Sequence, residues 1–215
     1  MKSSLPALVR PLLIAGLASI AASCSLFTEL KEPGYVIEKS NPAFELRRYD
    51  SYLVAEVIIE DDFEEAGNEA HRPLFDYISG ENKAQQSIEM TVPVNQTPAE
   101  KSEKIEMTAP VNQKPAGQGK YAVQFVMPAR YTLETLPEPL DPRITLKEVP
   151  AQLMAVRSYS GTWSRELYLE NEKALFSALN EAGLKPVGEP TWARYNPPWT
   201  LWFMRRNEIV VPVSE

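Results

Sequence analysis

The residue types able to do chemistry are few in this 215-residue chain, which has one histidine and one cysteine. His71 lies within a helical apolar pattern, four residues after Gly67 and four before Phe75. A neutral imidazole there could hold haem iron, while its plainer role is a packed ring bonded to a carbonyl. Met90, Met107 and Met127 could offer thioether sulfur to haem or a soft metal, or simply fill the core. One histidine supports neither a histidine-rich metal site nor a triad that draws on a second histidine, although a triad built on His71 stays open. Cys24 ends an N-terminal apolar run, which removes thiol catalysis, and no glycine-rich phosphate loop of the usual spacing occurs. The third group is a crowd of rings, Trp192, Tyr195, Trp199, Trp202 and Phe203, with Arg194, Arg205 and Arg206 among them. Ring faces suit a flat ligand and guanidinium groups suit its carboxylates; as single residues these also read as ordinary core rings and surface charges.

The elements that must position these groups are marked by a doubled phrase, Ile88 to Gln96 (IEMTVPVNQ) and Ile105 to Gln113 (IEMTAPVNQ). Each copy alternates apolar and polar residues with the period of a half-buried strand. Ile88, Met90, Val92 and Val94 share one side of the first, and Ile105, Met107, Ala109 and Val111 one side of the second. Pro93 and Pro110 have no N–H to donate, so each phrase belongs at a sheet edge, a bulge or a strand end.

Further strands are expected at 44–49 and 52–59, joined as a hairpin through Asp50 and Ser51, and at 121–127 after a turn at Gly117-Gln118-Gly119. A helix capped by Asp62 and ended by Gly80 carries Phe63, Ala66, Gly67, Ala70, Leu74, Phe75 and Ile78 on its apolar stripe, with Pro73 expected to kink it. The proline-rich stretch 136–142 reads as a connector.

At an offset of one hundred residues the pattern recurs. Ile144 to Val149 matches Phe44 to Tyr49, Gln152 to Arg157 matches Tyr52 to Val57, and Trp163 matches Phe63. A second helix should start at Ser164 with Leu167, Ala174, Leu175, Ala178, Leu179 and Ala182 facing the core, and end at Gly183. Strands should follow near 191–195, 201–206 and 209–213. The fold class is therefore α+β: two pseudosymmetric halves forming a curved, mainly antiparallel sheet or barrel flanked by two helices. A groove or pocket is expected on the pseudo-twofold axis.

Residues 1–23 read as a signal peptide: Lys2 and Arg10, an apolar run from Leu12 to Ile20, and small residues before Cys24. The run is short for a bilayer span. Residues 24–34 read as a tether and 35–215 as the domain. Loss of residues 1–23 removes Lys2 and Arg10, moving the formal charge from −7 to −9, with 20 bases against 29 acids. That balance disfavours nucleic acid and anionic surfaces as partners.

Small residues directly before Cys24 resemble the lipobox of bacterial lipoproteins, with Ala21 where leucine is usual. The resemblance implies acylation of Cys24, export, and a lipid anchor on the periplasmic face of a membrane. From Tyr35 to Val213 the chain resembles the SOUL haem-binding proteins, through the Met-Thr-x-Pro-Val phrases at Met90 and Met107, Phe125-Val-Met-Pro128, and Tyr195-Asn-Pro-Pro-Trp-Thr200 leading to Arg205-Arg-Asn-Glu208. The resemblance implies two pseudosymmetric halves and a shallow, mainly hydrophobic site for haem or another tetrapyrrole. It implies no catalytic residue, and often an apolar residue where His71 stands.

The resulting expectation is a non-enzymatic carrier or sequestering protein whose candidate haem contacts are His71, Met90, Met107, Trp199, Arg205 and Arg206, with Cys24 lipidated. The alternatives are a cell-envelope interaction protein without a small ligand, and an enzyme on tetrapyrroles using Glu89 or Glu106 as acid or base. Both glutamates lie on the polar side of their phrases, where a solvated surface role is expected.

Overall fold

The computed structural model describes residues 31–84 and 102–214. Cys24, Met90, Glu89 and the first copy of the doubled phrase lie outside them. In chain order the elements are β1 (Tyr35–Ser40), β2 (Glu45–Tyr49), β3 (Tyr52–Glu60), α1 (Phe63–Ser79), β4 (Asn82–Lys83), β5 (Val111–Pro115), β6 (Lys120–Val126), β7 (Glu138–Pro139), β8 (Thr145–Val149), β9 (Gln152–Tyr159), α2 (Arg165–Glu181), β10 (Lys185–Pro186), β11 (Thr191–Arg194) and β12 (Asn207–Ser214). The fold is α+β, with two helices on a curled antiparallel sheet ordered β1-β2-β9-β12-β11-β5-β6-β3-β8, and β10 pairing β12.

The expected hairpins do not form. β2 pairs with β9 and β3 pairs with β8, so each half lends a strand pair to the other. The residue numbers of every partner pair add to 201 in both ladders, from Glu45 with Val156 to Glu56 with Thr145. The two ladders are thus one ribbon in a single register, stepping at Asp50-Ser51 and Pro150-Ala151. A two-residue hairpin needs positive φ in its turn, usually from Gly or Asn. Neither link contains such a residue, and neither adopts positive φ. The chain therefore runs on instead of reversing, and the pseudo-twofold axis passes through the step. β5 and β6 do form a hairpin, which turns at Gly117, Gln118 and Gly119, all with positive φ, as expected.

The far side of the axis follows from the ladders. β5–β6 and β11–β12 are matching hairpins that pair across the halves, and Gln113 opposite Trp192 is the pair the axis crosses. The Gln113 amide donates to the Phe63 carbonyl at 2.8 Å and accepts from Arg194 at 3.0 Å, tying this crossing to the first turn of α1.

Both helices are 17 residues long and capped as the sequence dictates. Asp62 accepts from the Glu65 amide and Ser164 from the Leu167 amide. The caps lie 102 residues apart, so the hundred-residue offset holds for the strand pairs and slips by two at the helices. α1 runs unbroken through Pro73. Its buried stripe includes Pro73 and Tyr77 but leaves Phe75 exposed. In α2 Tyr168, Asn171, Leu175 and Leu179 are buried, while Ala182 is exposed. The Tyr168 hydroxyl receives a hydrogen bond from Arg194 Nε at 2.9 Å, which offsets the cost of burying it.

α1 packs on β3 and β6 through Ala66, Ala70, Leu74 and Ile78 against Ala55, Val57, Val123 and Phe125. α2 packs on β9 and β12 through Tyr168, Leu175 and Leu179 against Leu153, Ala155, Ile209 and Val211. Phe63, the first residue of α1, belongs to the α2 core.

Other expectations change in detail. Only the last three residues of the second phrase lie in a strand; residues 102–110 are irregular, with Ile105 and Ala109 buried and Met107 exposed. Thr108 Oγ1 donates to the Val126 carbonyl and holds this stretch beside β6 without a full ladder. Residues 201–206 form a 3-10 turn at Trp202–Met204, not a strand, because Arg205 gathers the Pro198 and Thr200 carbonyls into a compact loop. The connector contributes β7, which pairs β4.

Candidate functional site: a cavity on the pseudo-twofold axis

Strand alternation sends one set of side chains toward the helices and the other to the opposite, concave face of the sheet. That second face is much more polar. It encloses a cavity of about 350 Å³ on the axis. Tyr49, Tyr52, Val149 and Gln152 line it at the ribbon step, and Asn112, Lys114, Gln124, Thr191 and Ala193 line it from β5, β6 and β11. Met154, Val210 and Pro212 add apolar wall, and Pro33 and Pro110 also contribute.

A charge cluster lies at each end of this face. At one end Glu208, fully buried, accepts from Arg47 at 3.1 Å, Arg206 at 3.0 Å, Ser158 at 2.9 Å and Tyr195 at 2.6 Å. Burial alone would make Arg47 easier to deprotonate, but the Glu208 charge and contacts with Tyr49 and Glu45 outweigh it, so its pKa rises and it stays charged. At the other end Glu56 accepts from Gln124 at 2.7 Å and pairs with Lys147. Arg47 and Lys147 are pseudo-equivalent by the hundred-residue offset. The carboxylates are not, since Glu56 sits on β3 and Glu208 on β12. The cation position survives in both halves, and each half has its own carboxylate for it.

Burial would push the Glu56 carboxyl up, but hydrogen bonds from Lys147 and Gln124, with the Lys147 and Lys114 charges, hold it below its usual value. A depressed carboxyl contributes stability above its unfolded-state pKa of about 4.3, and that contribution is lost as pH falls through the folded value. Unfolding followed from pH 7 to 3 should therefore show a fall in stability below about pH 4.5 that is smaller in Glu56→Gln; equal pH slopes for the two proteins would contradict the assignment.

Tyr49 and Tyr52 both border the cavity, and burial pushes each phenol up to about 12. They are protonated at neutral pH and present O–H donors and ring edges, not phenolate.

Of the six residues singled out from sequence, the five that the structure describes are not brought together. Met90 lies outside the described residues. His71 is exposed on α1, stacked on Phe75 at 5.8 Å and edge-on to Phe125 at 5.7 Å. Phe125 faces α1 and its neighbour Gln124 faces the cavity, so His71 and the cavity are on opposite sides of β6. Met107 is exposed on the irregular stretch before β5. Arg205 stacks on Trp163 at 4.2 Å, and Trp199 is 82% exposed. Among the five described, Arg206 alone reaches the concave face, stacked over Tyr195 at 3.8 Å and bonded to Glu208. Tyr195, one of the rings singled out from sequence, lines the cavity, whereas Asn112, Gln124, Gln152 and Thr191 escaped residue-by-residue reading because Gln, Asn and Thr in strands look like solvent-facing positions. The predicted axis was the signal that could have found them. Among the described residues there is no cluster of three or more His, Cys, Asp or Glu that could hold a metal ion.

The model of the SOUL haem-binding protein family matches residues 30–212. The chain belongs to the SOUL family. No curated protein matches it in sequence. Among solved structures this SOUL domain is similar to the C-terminal domain of EcmrR, with 10% identity, a TM-score of 0.59 and coverage of 80% of this chain and 97% of that one. It is similar to a hydrolase from Listeria innocua, with 10% identity, a TM-score of 0.50 and coverage of 87% and 94%. It is also similar to EcmrR in a DNA complex, with 13% identity, a TM-score of 0.52 and coverage of 80% and 57%. At these identities the likeness is one of fold, and one fold carries unrelated functions.

Proposed function

We propose that this SOUL domain binds haem or another tetrapyrrole in the axial cavity without chemical turnover, as a carrier or sequestering protein held at the cell envelope by lipid on Cys24. Family membership supplies the ligand class. The observation that carries the site is the cavity itself, on the axis, walled by tyrosine rings, Met154 and neutral amides, with Lys114 and Glu189 in its lining. Its volume lies at the low end of the roughly 300–1,000 Å³ usual for small-molecule sites. A flat macrocycle therefore enters by one edge and leaves the other toward solvent. The protonated phenols and amides can bond carboxylates or pyrrole nitrogens, but they make poor iron ligands, so the macrocycle is held independently of its metal.

This reading predicts saturable binding of both haemin and metal-free protoporphyrin at micromolar concentration, with a shifted Soret band. Thr191→Trp, which fills the cavity from a half-buried position, should weaken both by tenfold or more. No saturable binding of either pigment by the folded wild type would end the proposal.

A second reading rests on His71, exposed beside two phenylalanine rings and with no hydrogen bond among the described residues. An imidazole site needs iron. There His71→Ala would abolish the haemin spectrum, metal-free pigment would not bind, and Thr191→Trp would have no effect.

A further inference from the structure

The loop from Asn196 to Met204 shows an arrangement that neither the cavity nor the cores use. Trp199, Leu201, Trp202, Phe203 and Met204 are respectively 82%, 57%, 59%, 56% and 61% exposed, the densest run of exposed large apolar side chains among the described residues. Soluble surfaces rarely concentrate such area without a partner. The loop is nevertheless tightly built. Arg205 donates to the carbonyls of Pro198 at 2.7 Å and Thr200 at 2.8 Å, and its guanidinium is anchored on the Trp163 ring. The Trp202 carbonyl accepts from Gly161 at 3.0 Å, Met204 N–H donates to Leu201, and Thr200 N–H donates to Pro197. The carbonyls of Pro197, Pro198, Thr200, Leu201 and Trp202 and the N–H groups of Thr200 and Met204 are thus paired within the protein while the apolar side chains are exposed. A segment entering the boundary of a bilayer needs this combination, because backbone groups there lose water, and tryptophan is the residue favoured at that depth.

A second observation says which surface the loop meets. Arg206, the residue after Arg205, forms an ion pair with Glu32 at 2.7 Å. The chain is therefore pinned beside this loop eight residues after Cys24, a reach of at most about 28 Å. If Cys24 carries lipid, the loop lies on the side of the domain that the anchor can draw toward the bilayer.

We propose that Trp199–Met204 is a membrane-docking loop that inserts into the interfacial layer of a lipid bilayer and sets the orientation of the domain on it. Apolar insertion drives the contact. The nearby arginines are occupied by Glu32, Glu208 and loop carbonyls, and the chain from Cys24 onward is acidic, so zwitterionic lipid suffices and anionic lipid adds little.

The test uses residues 24–215, which contain every described strand, helix and core, with Cys24→Ser so that no acyl chain contributes. Co-sedimentation with phosphatidylcholine vesicles should be saturable and nearly independent of salt. Brominated phosphatidylcholine should quench part of the tryptophan emission, since Trp199 and Trp202 reach the lipid while Trp192 is buried. Trp199→Ser with Trp202→Ser should weaken vesicle binding by about tenfold per ring removed and abolish the quenching, with the thermal transition unchanged. Three results would overturn the proposal: wild type that stays in the supernatant, a double variant that binds vesicles equally, or lipid-free self-association abolished by the same two substitutions. Loss of pigment binding in the double variant without any vesicle binding in wild type would instead assign the loop to the ligand.

Discussion

Glu208→Ala is expected to lower the free energy of unfolding by about 3–5 kcal/mol, the cost of removing one partner from a buried ion-pair network. Glu208 is fully buried and Arg47 nearly so, so solvent does little to screen the loss. Removal of the carboxylate leaves Arg47 with Glu45, Tyr49 and the Tyr35 ring, leaves Arg206 with Glu32, and takes the acceptor from Ser158 and the Tyr195 hydroxyl at the same time. Urea unfolding at pH 7 should show a lower midpoint with an unchanged slope. Arg47→Met combined with Glu208→Leu should recover most of the loss, because an apolar pair of similar volume avoids the desolvation penalty. A single Glu208→Ala variant within about 1 kcal/mol of wild type would show that water reaches the cluster.

Phe63→Ala should cost a comparable amount, about 3–5 kcal/mol, as a cavity left in a packed core. Phe63 makes edge contacts with Tyr168 and Trp192 at 4.9 Å each and with Tyr121 at 5.8 Å. The ring opens α1 but fills the core beneath α2, so its loss weakens the joint between the halves. Trp192 emission should move to the red, and signals from both halves should still collapse in one transition at a lower midpoint. Two separated transitions would mean that the halves are held together elsewhere, through the shared ribbon alone.

These two residues differ in how far sequence could reveal them. Phe63 stood at the start of an amphipathic helix directly after a capping aspartate, so its burial was legible. Its destination was not, because periodicity names the buried face of a helix without naming the sheet that covers it. Glu208 closed the Arg205-Arg-Asn-Glu208 phrase but gave no sign of its burial. An acidic residue after two arginines reads as solvated surface until the chain folds Arg47, which is 161 residues away, onto it.

The candidate site divides in the same way. The duplication predicted an axis and a pocket on it, and the cavity lies there. Of the side chains chosen for their chemistry, Tyr195 lines it and Arg206 reaches its face, while the others described lie elsewhere: His71 on the far side of β6, Met107 before β5, Trp199 on an exposed loop. Chemical type suggested what those residues could do, and alternation on two curled ladders determined which residues face each other.

The sequence by itself determined much of the local structure: the strands at 44–49, 52–59 and 121–127 and their repeats, where the N-caps of both helices fall, that the chain is doubled at about a hundred residues, and that it belongs with the SOUL proteins. Those features depend on neighbours within a few positions, through period, capping and turn chemistry. The tertiary structure alone decided that Asp50-Ser51 is a step and not a turn, so that each half completes the other's ladders, and that polar strand residues gather around an internal cavity. Pairing partners a hundred residues apart are chosen by the total burial of the folded chain, a quantity no short window contains.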